Sequence, residues 1–162
     1  MASSTPPEAP SAAADPSRST DWLRALPSLD SGADLGPVQL AWLGDAVWEL
    51  HQRLGHCRSA SRMASAHQAV VAAVRAEAQV IALRRLEPWL GEAEREWVRR
   101  GRNRAGRGPR RADPATYGQA TGFETMLGWL FLRNPRRLAE LLDHLAKTDP
   151  PNPSPRTHEP VL

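Results

Sequence analysis

Cysteine is nearly missing from this chain, with a single residue, Cys57, in 162. An internal disulfide and a zinc cage of thiolates are thereby excluded, and Cys57 reads as an incidental thiol of a reducing cytoplasm. Aromatic residues are scarce at 6%. No apolar stretch approaches the ~18–20 residues that span a bilayer. The opening MASSTPPEAPSAAADPSRST has one Arg, includes Glu8 and Asp15, and lacks a basic start followed by an apolar core, so it is not read as a secretory signal. Strand signals are almost absent. His51, His56, His67, His144 and His158 are scattered, with no pair at metal-ligand spacing inside one helix. No G-x-S-x-G, P-loop or dinucleotide fingerprint occurs.

What is present is helical periodicity, proline at both ends, and arginine. Residues 1–20 and 148–162 are rich in Pro, Ser and other polar residues and are expected to be a disordered leader and tail around a folded domain at 21–147. Net charge is only +3, but the pI is near 9.9 because most basic groups are arginines, which suit bidentate contact with phosphate. Pro37 at a first-turn position opens a predicted helix that Gly55 should stop. A helical stretch at 59–86 is expected to break once, and GEAEREWVRR gives a further helix, with acids early and arginines late. Asp113-Pro114 and Asn134-Pro135 each pair a cap with a first-turn proline and open helices near 114–132 and 135–147. The expected fold class is all-α.

Two acids stand out. In AWLGDAVWEL, Asp45 interrupts a helix whose core stripe runs Leu40, Leu43, Val47, Leu50 and Leu54, with Trp42, Ala46 and Trp48 making the rest apolar too. From Pro114 to Leu132 the sole charged side chain is Glu124. Gly44 beside Asp45, and Gly128 one turn beyond Glu124, would let two helix backbones approach closely. Both acids therefore read as buried, and each is either a structural acceptor or one of a pair converging on a divalent cation, since Mg²⁺ commonly takes one or two protein carboxylates. Glu49, one turn beyond Asp45, reads as a solvated face residue.

Between the acids lies RRGRNRAGRGPRRADP. Arg99, Arg100, Arg102, Arg104, Arg107, Arg110 and Arg111 are seven arginines within thirteen residues, with three glycines and no acid before Asp113. The glycines argue against a stable helix, so a mobile loop is expected, and a polyphosphate would relieve its self-repulsion. It carries no aromatic residue for base stacking, which favours backbone recognition of a duplex.

Together LGDAV, FETMLGWLFL and the arginine segment resemble ribonuclease III catalytic domains, and in particular the Mini-III ribonucleases, a short bacterial branch without the double-stranded-RNA-binding domain. The resemblance runs from about Pro37 to Lys147. It implies a homodimeric, Mg²⁺-dependent endonuclease for double-stranded RNA, associated with maturation of large-subunit (23S) ribosomal RNA. Asp45 and Glu124 fall on the catalytic, metal-binding acids, and Trp42 on an aromatic knob at the dimer interface; read from the residues alone, Trp42 is equally a core side chain. Larger family members carry two further acids, at the places of Ala41 and Thr121. The rival readings are a non-catalytic structured-RNA-binding ribosome-assembly factor, and a helical DNA-associated or protein-interaction module.

Overall fold

The computed structural model describes residues 20–29, 35–59 and 62–148. The expected leader and tail, apart from Thr20 and Thr148, lie outside the described residues. Among the described residues seven α-helices follow in order: α1 (Asp21–Arg24), α2 (Pro37–Ser59), α3 (Met63–Ala73), α4 (Ala76–Leu86), α5 (Glu92–Arg104), α6 (Pro114–Arg133) and α7 (Pro135–Thr148), with a 3₁₀ turn at Glu87–Trp89 between α4 and α5. No strand occurs among the described residues, so the fold is all-α.

The apolar segment 114–132 becomes the central helix. Phe123, Met126 and Leu127 of α6 are completely buried, each contributing about 1.5–3 kcal/mol relative to an exposed position. Helices α2, α4, α5 and α7 all pack on α6. Both proposed caps form: the Asp113 carboxylate accepts from the Thr116 amide (2.8 Å), and Asn134 Oδ1 accepts from the Arg137 amide (3.0 Å). On α7, Leu138, Leu141, Leu142 and Leu145 face the core in one stripe. The predicted break in the second helical stretch separates α3 from α4 at Val74–Arg75.

Three sequence expectations are overturned. Gly55 does not stop α2, which continues to Ser59; glycine inside a helix costs only about 1 kcal/mol, which the packed helix tolerates. Leu50, expected in the core stripe, is 44% exposed. The arginine segment is not all loop, because α5 runs through Arg104. Gly101 is the reason. A Cβ there would run into the Thr125 side chain, so the glycine serves the crossing of α5 over α6 and is buried in it.

Candidate active site

The site is built on a backbone seam. A Cβ at Gly44 would fall on the carbonyl oxygen of Glu124, and one at Gly128 on the carbonyl oxygen of Leu40. Only glycine permits that approach, and it brings α2 and α6 together where each carries its acid. Asp45 follows Gly44 in sequence, and Glu124 lies one turn before Gly128. Both residues are therefore set at the helix contact by the chain itself.

Asp45 is exposed and Glu124 is half-buried. The expectation that both carboxylates are enclosed holds only for Glu124; the face of α2 bearing Trp42, Asp45 and Ala46 points outward. Burial pushes the Glu124 carboxyl up to about 7, a hydrogen bond donated by Gln79 Nε2 to Oε1 (3.0 Å) opposes the rise, and the charge of Asp45 adds to it. Asp45 is itself raised, by partial burial and then by the charge of Glu49. Neither acid has an arginine or lysine partner among the described residues, whereas Glu49 accepts from Arg53 one turn away (2.6 Å). Glu49 is thus a surface-paired residue, and its reading as a face residue stands.

Two adjacent carboxylates without a counter-charge form a donor set that suits a hard divalent cation completed by water. Among the described residues no cluster of three or more His, Cys, Asp or Glu is placed to hold a metal. The two positions where larger relatives carry extra acids add nothing: Ala41 is buried, and Thr121 Oγ1 donates to the Tyr117 carbonyl of its own helix (2.9 Å).

The arginines divide into two sets. On α5, Arg99 and Arg100 both meet Glu96 (2.7 and 2.9 Å), and Arg100 also lies over the Trp97 ring. Arg102, Arg104, Arg107, Arg110 and Arg111 are exposed with no acidic partner among the described residues. Arg102 and Arg107 border a groove of about 550 Å³ that ends at Pro114 and Ala115, the start of α6. Trp42 is 82% exposed, so its reading as a core side chain is wrong for the single chain.

Gln79 is the site residue that sequence reasoning missed. It is 1% exposed on α4, among Val80, Ala82, Leu83 and Leu86. A lone amide within that buried stripe was the available signal.

Residues 38–135 match the model of the Ribonuclease III domain. The chain is 47% identical over 137 residues to the Mini-ribonuclease 3 of a Synechocystis species, a match covering 83% of this chain and 94% of that one. It is 52% identical over 115 residues to the Mini-ribonuclease 3 of a Synechococcus species, covering 71% and 83%. A crystal structure of a Fusobacterium nucleatum protein superposes with a TM-score of 0.64 at 25% identity, covering 70% of this chain and 93% of that one. Fold and relatives agree, and the chain belongs to the ribonuclease III family of divalent-metal-dependent endoribonucleases, within its Mini-ribonuclease 3 group.

Proposed function

We propose that the protein is a homodimeric endoribonuclease that cleaves double-stranded RNA with Mg²⁺, acting in the cytoplasm on a precursor of large-subunit (23S) ribosomal RNA. The observation that carries the chemistry is the uncompensated pair Asp45 and Glu124 on the glycine seam. These two carboxylates would hold the ion, which when bound supplies an activated water and neutralises charge on the phosphodiester. The protein's own part is to fix both acids through the α2–α6 backbone contact and to keep positive partners away from them. Arg102, Arg104, Arg107, Arg110 and Arg111, with Arg99 and Arg100 beside them, provide the cationic surface for the duplex backbone. The choice of ribosomal RNA rests on the resemblance to the Mini-III branch. For the compartment, no described helix is long and apolar enough to cross a membrane.

The dimer is supported by the exposed apolar side chains of α2. Trp42 and Val38, one turn apart, are 82% and 64% exposed, and a second copy would cover them. A non-catalytic assembly factor would have no use for a half-buried carboxylate raised to about 7 and left without a cation. The deciding experiment incubates the protein with long duplex RNA, with and without Mg²⁺, beside Asp45→Asn. Metal-dependent cleavage lost in the variant is the expected result. RNA binding without cleavage by the native chain would establish the assembly factor instead. Trp42→Ala should shift the molecular mass seen in light scattering toward the monomer at micromolar concentration; an unshifted dimer would take Trp42 out of the interface.

A further inference from the structure

Gln79 is a buried side chain that reaches Glu124 from a third helix. It sits on α4, 45 residues before Glu124, and its Nε2 donates to Glu124 Oε1 at 3.0 Å. With 1% of its surface exposed, it is as buried as the leucines around it. Burying an amide costs free energy unless its hydrogen bonds are made, so this position is an expensive one for glutamine to occupy. An apolar side chain would fill the space between α4 and α6 at no such cost. What glutamine adds is a donor pointed at one oxygen of a carboxylate, from a helix that does not itself carry a site acid.

Donation to Oε1 has a geometric consequence. A carboxylate on a three-bond stem rotates, and its two oxygens exchange places unless one of them is fixed. With the amide on Oε1, the orientation of Glu124 is set and Oε2 is the oxygen left for ligation. It is the amide N–H of Gln79 that faces Glu124; its carbonyl oxygen there would repel the ionised carboxylate that a cation needs. The places of the two additional acids in larger relatives hold Ala41 and Thr121, neither directed at the pair, so orientation of Glu124 falls to α4.

We propose that Gln79 is a positioning residue for Glu124, locking one carboxylate oxygen so that the other is presented to the divalent cation. The proposal rests on the reading of Glu124 as a metal-binding acid. It assigns α4 a part in the site that the paired acids alone do not reveal. Partners of this kind, bonded to a ligating group rather than to the metal, typically govern metal affinity or activity by about 10–100-fold.

The test compares native protein, Gln79→Met, Gln79→Glu and Glu124→Gln. Met keeps the length and volume of the side chain and removes the donor. Glu keeps its shape but shares a proton with Glu124 and adds a second carboxylate, so it is the control in which a donor is retained. Binding of Mn²⁺, used as the spectroscopic stand-in for Mg²⁺, is followed by electron paramagnetic resonance without RNA. Melting temperature is taken in EDTA, and kcat and KM are measured on duplex RNA. The expected result for Gln79→Met is Mn²⁺ affinity and kcat each lowered by about 10-fold or more, with KM for RNA unchanged, and a smaller loss in Gln79→Glu. Gln79→Met is expected to melt within a few degrees of the native protein. Should Gln79→Met not fold, Gln79→Leu, which also removes the donor, carries the same comparison.

Native Mn²⁺ affinity and kcat in a folded Gln79→Met would overturn the positioning role, as would a drop in melting temperature with no change in either quantity. Glu124→Gln separates this from the reading beneath it. If Glu124→Gln still binds Mn²⁺ and cleaves as the native protein does, the metal-binding assignment itself fails. If Glu124→Gln is inactive while Gln79→Met is native in all respects, only the role of Gln79 is lost.

Discussion

Four acids of this protein are held between helices, in two opposite ways. Glu94 and Asp143 are the most enclosed, at 6% and 8% exposure, and each meets an arginine. Glu94 accepts from Arg137 Nε (2.8 Å) and from the Gly91 amide (2.7 Å). Asp143 accepts from Thr20 Oγ1 (2.6 Å) and pairs with Arg24. Asp45 and Glu124 are more accessible, yet neither has a cationic partner among the described residues. Depth of burial therefore marks the wrong pair. What separates an acid that holds helices together from one proposed to do chemistry here is whether its charge is already answered. The electrostatics follow: although burial pushes Glu94 up, the hydrogen bonds of Arg137 and Gly91 bring it below its ordinary value, whereas Glu124 rises to about 7.

The largest effects should come from exchanging the two kinds of acid. Glu124→Gln should reduce cleavage on the order of 10³-fold at unchanged helix content, because it removes a ligating charge at constant volume. Glu94→Gln should do the reverse. Arg137 loses its nearer charged partner and keeps Glu140 (3.1 Å), stability in urea falls by about 1–3 kcal/mol, and cleavage per folded molecule stays native. The range is discounted because Arg137 keeps access to water, with 29% of its side chain exposed. A folded but inactive Glu94→Gln would erase the distinction.

Much of this was legible in the sequence. Two-residue signals such as Asp113-Pro114 and Asn134-Pro135 mark helix starts through local chemistry, and the structure forms both caps. The glycines beside Asp45 and beyond Glu124 pointed to a backbone contact because no other residue allows one. Gly101 looked the same on paper as the loop glycines Gly106 and Gly108, but its partner is Thr125, more than twenty residues away, and periodicity carries no such information. For the same reason the enclosure of Asp45 was overestimated. In sequence an apolar helix face that is exposed reads like one that is covered, and Trp42 and Val38 are exposed. Gln79 escaped notice since a single polar residue in a helix gives no hint of which distant side chain it meets.

A smaller effect tests the electrostatic side of the comparison. Glu124 has its pKa raised in the folded protein, from 4.5 to about 7, so the stability tied to its protonated form is fully present below pH 4.5 and is lost as pH rises through about 7. In EDTA, Glu124→Gln should remove that loss and be more stable than the native protein at pH 8, by about 1–3 kcal/mol after allowance for its partial exposure. Glu94 runs the other way: its pKa is lowered, so its contribution is present above the ordinary 4.5 and lost as pH falls through the depressed value. Glu94→Gln should therefore flatten the acid side of the profile. Melting curves from pH 3 to 9 for the three proteins read both signs, and parallel profiles would remove the electrostatic contrast.

The smallest effect, spread over several residues, extends the same contrast to the cations. Arg99 and Arg100 are already answered by Glu96, whereas Arg102, Arg104 and Arg107 have no acid beside them. A duplex backbone gains more from the second set, since those charges need not give up a partner to meet phosphate. Replacing Arg102, Arg104 and Arg107 by Ala should weaken duplex binding and flatten its salt dependence, each lost phosphate contact taking ~0.7–0.9 from the log–log slope. Replacing Arg99 and Arg100 should change the slope by less per residue, because their charges are already met by Glu96 and make fewer phosphate contacts. Cleavage at saturating RNA should fall less than affinity in either case, as the acids on the α2–α6 seam are untouched. Titrations in an Asp45→Asn background at several salt concentrations separate binding from turnover. Equal slopes for the triple variant and the unaltered segment would make the segment a solvated spacer, and equal losses per residue in the two sets would show that pairing with Glu96 does not matter to RNA.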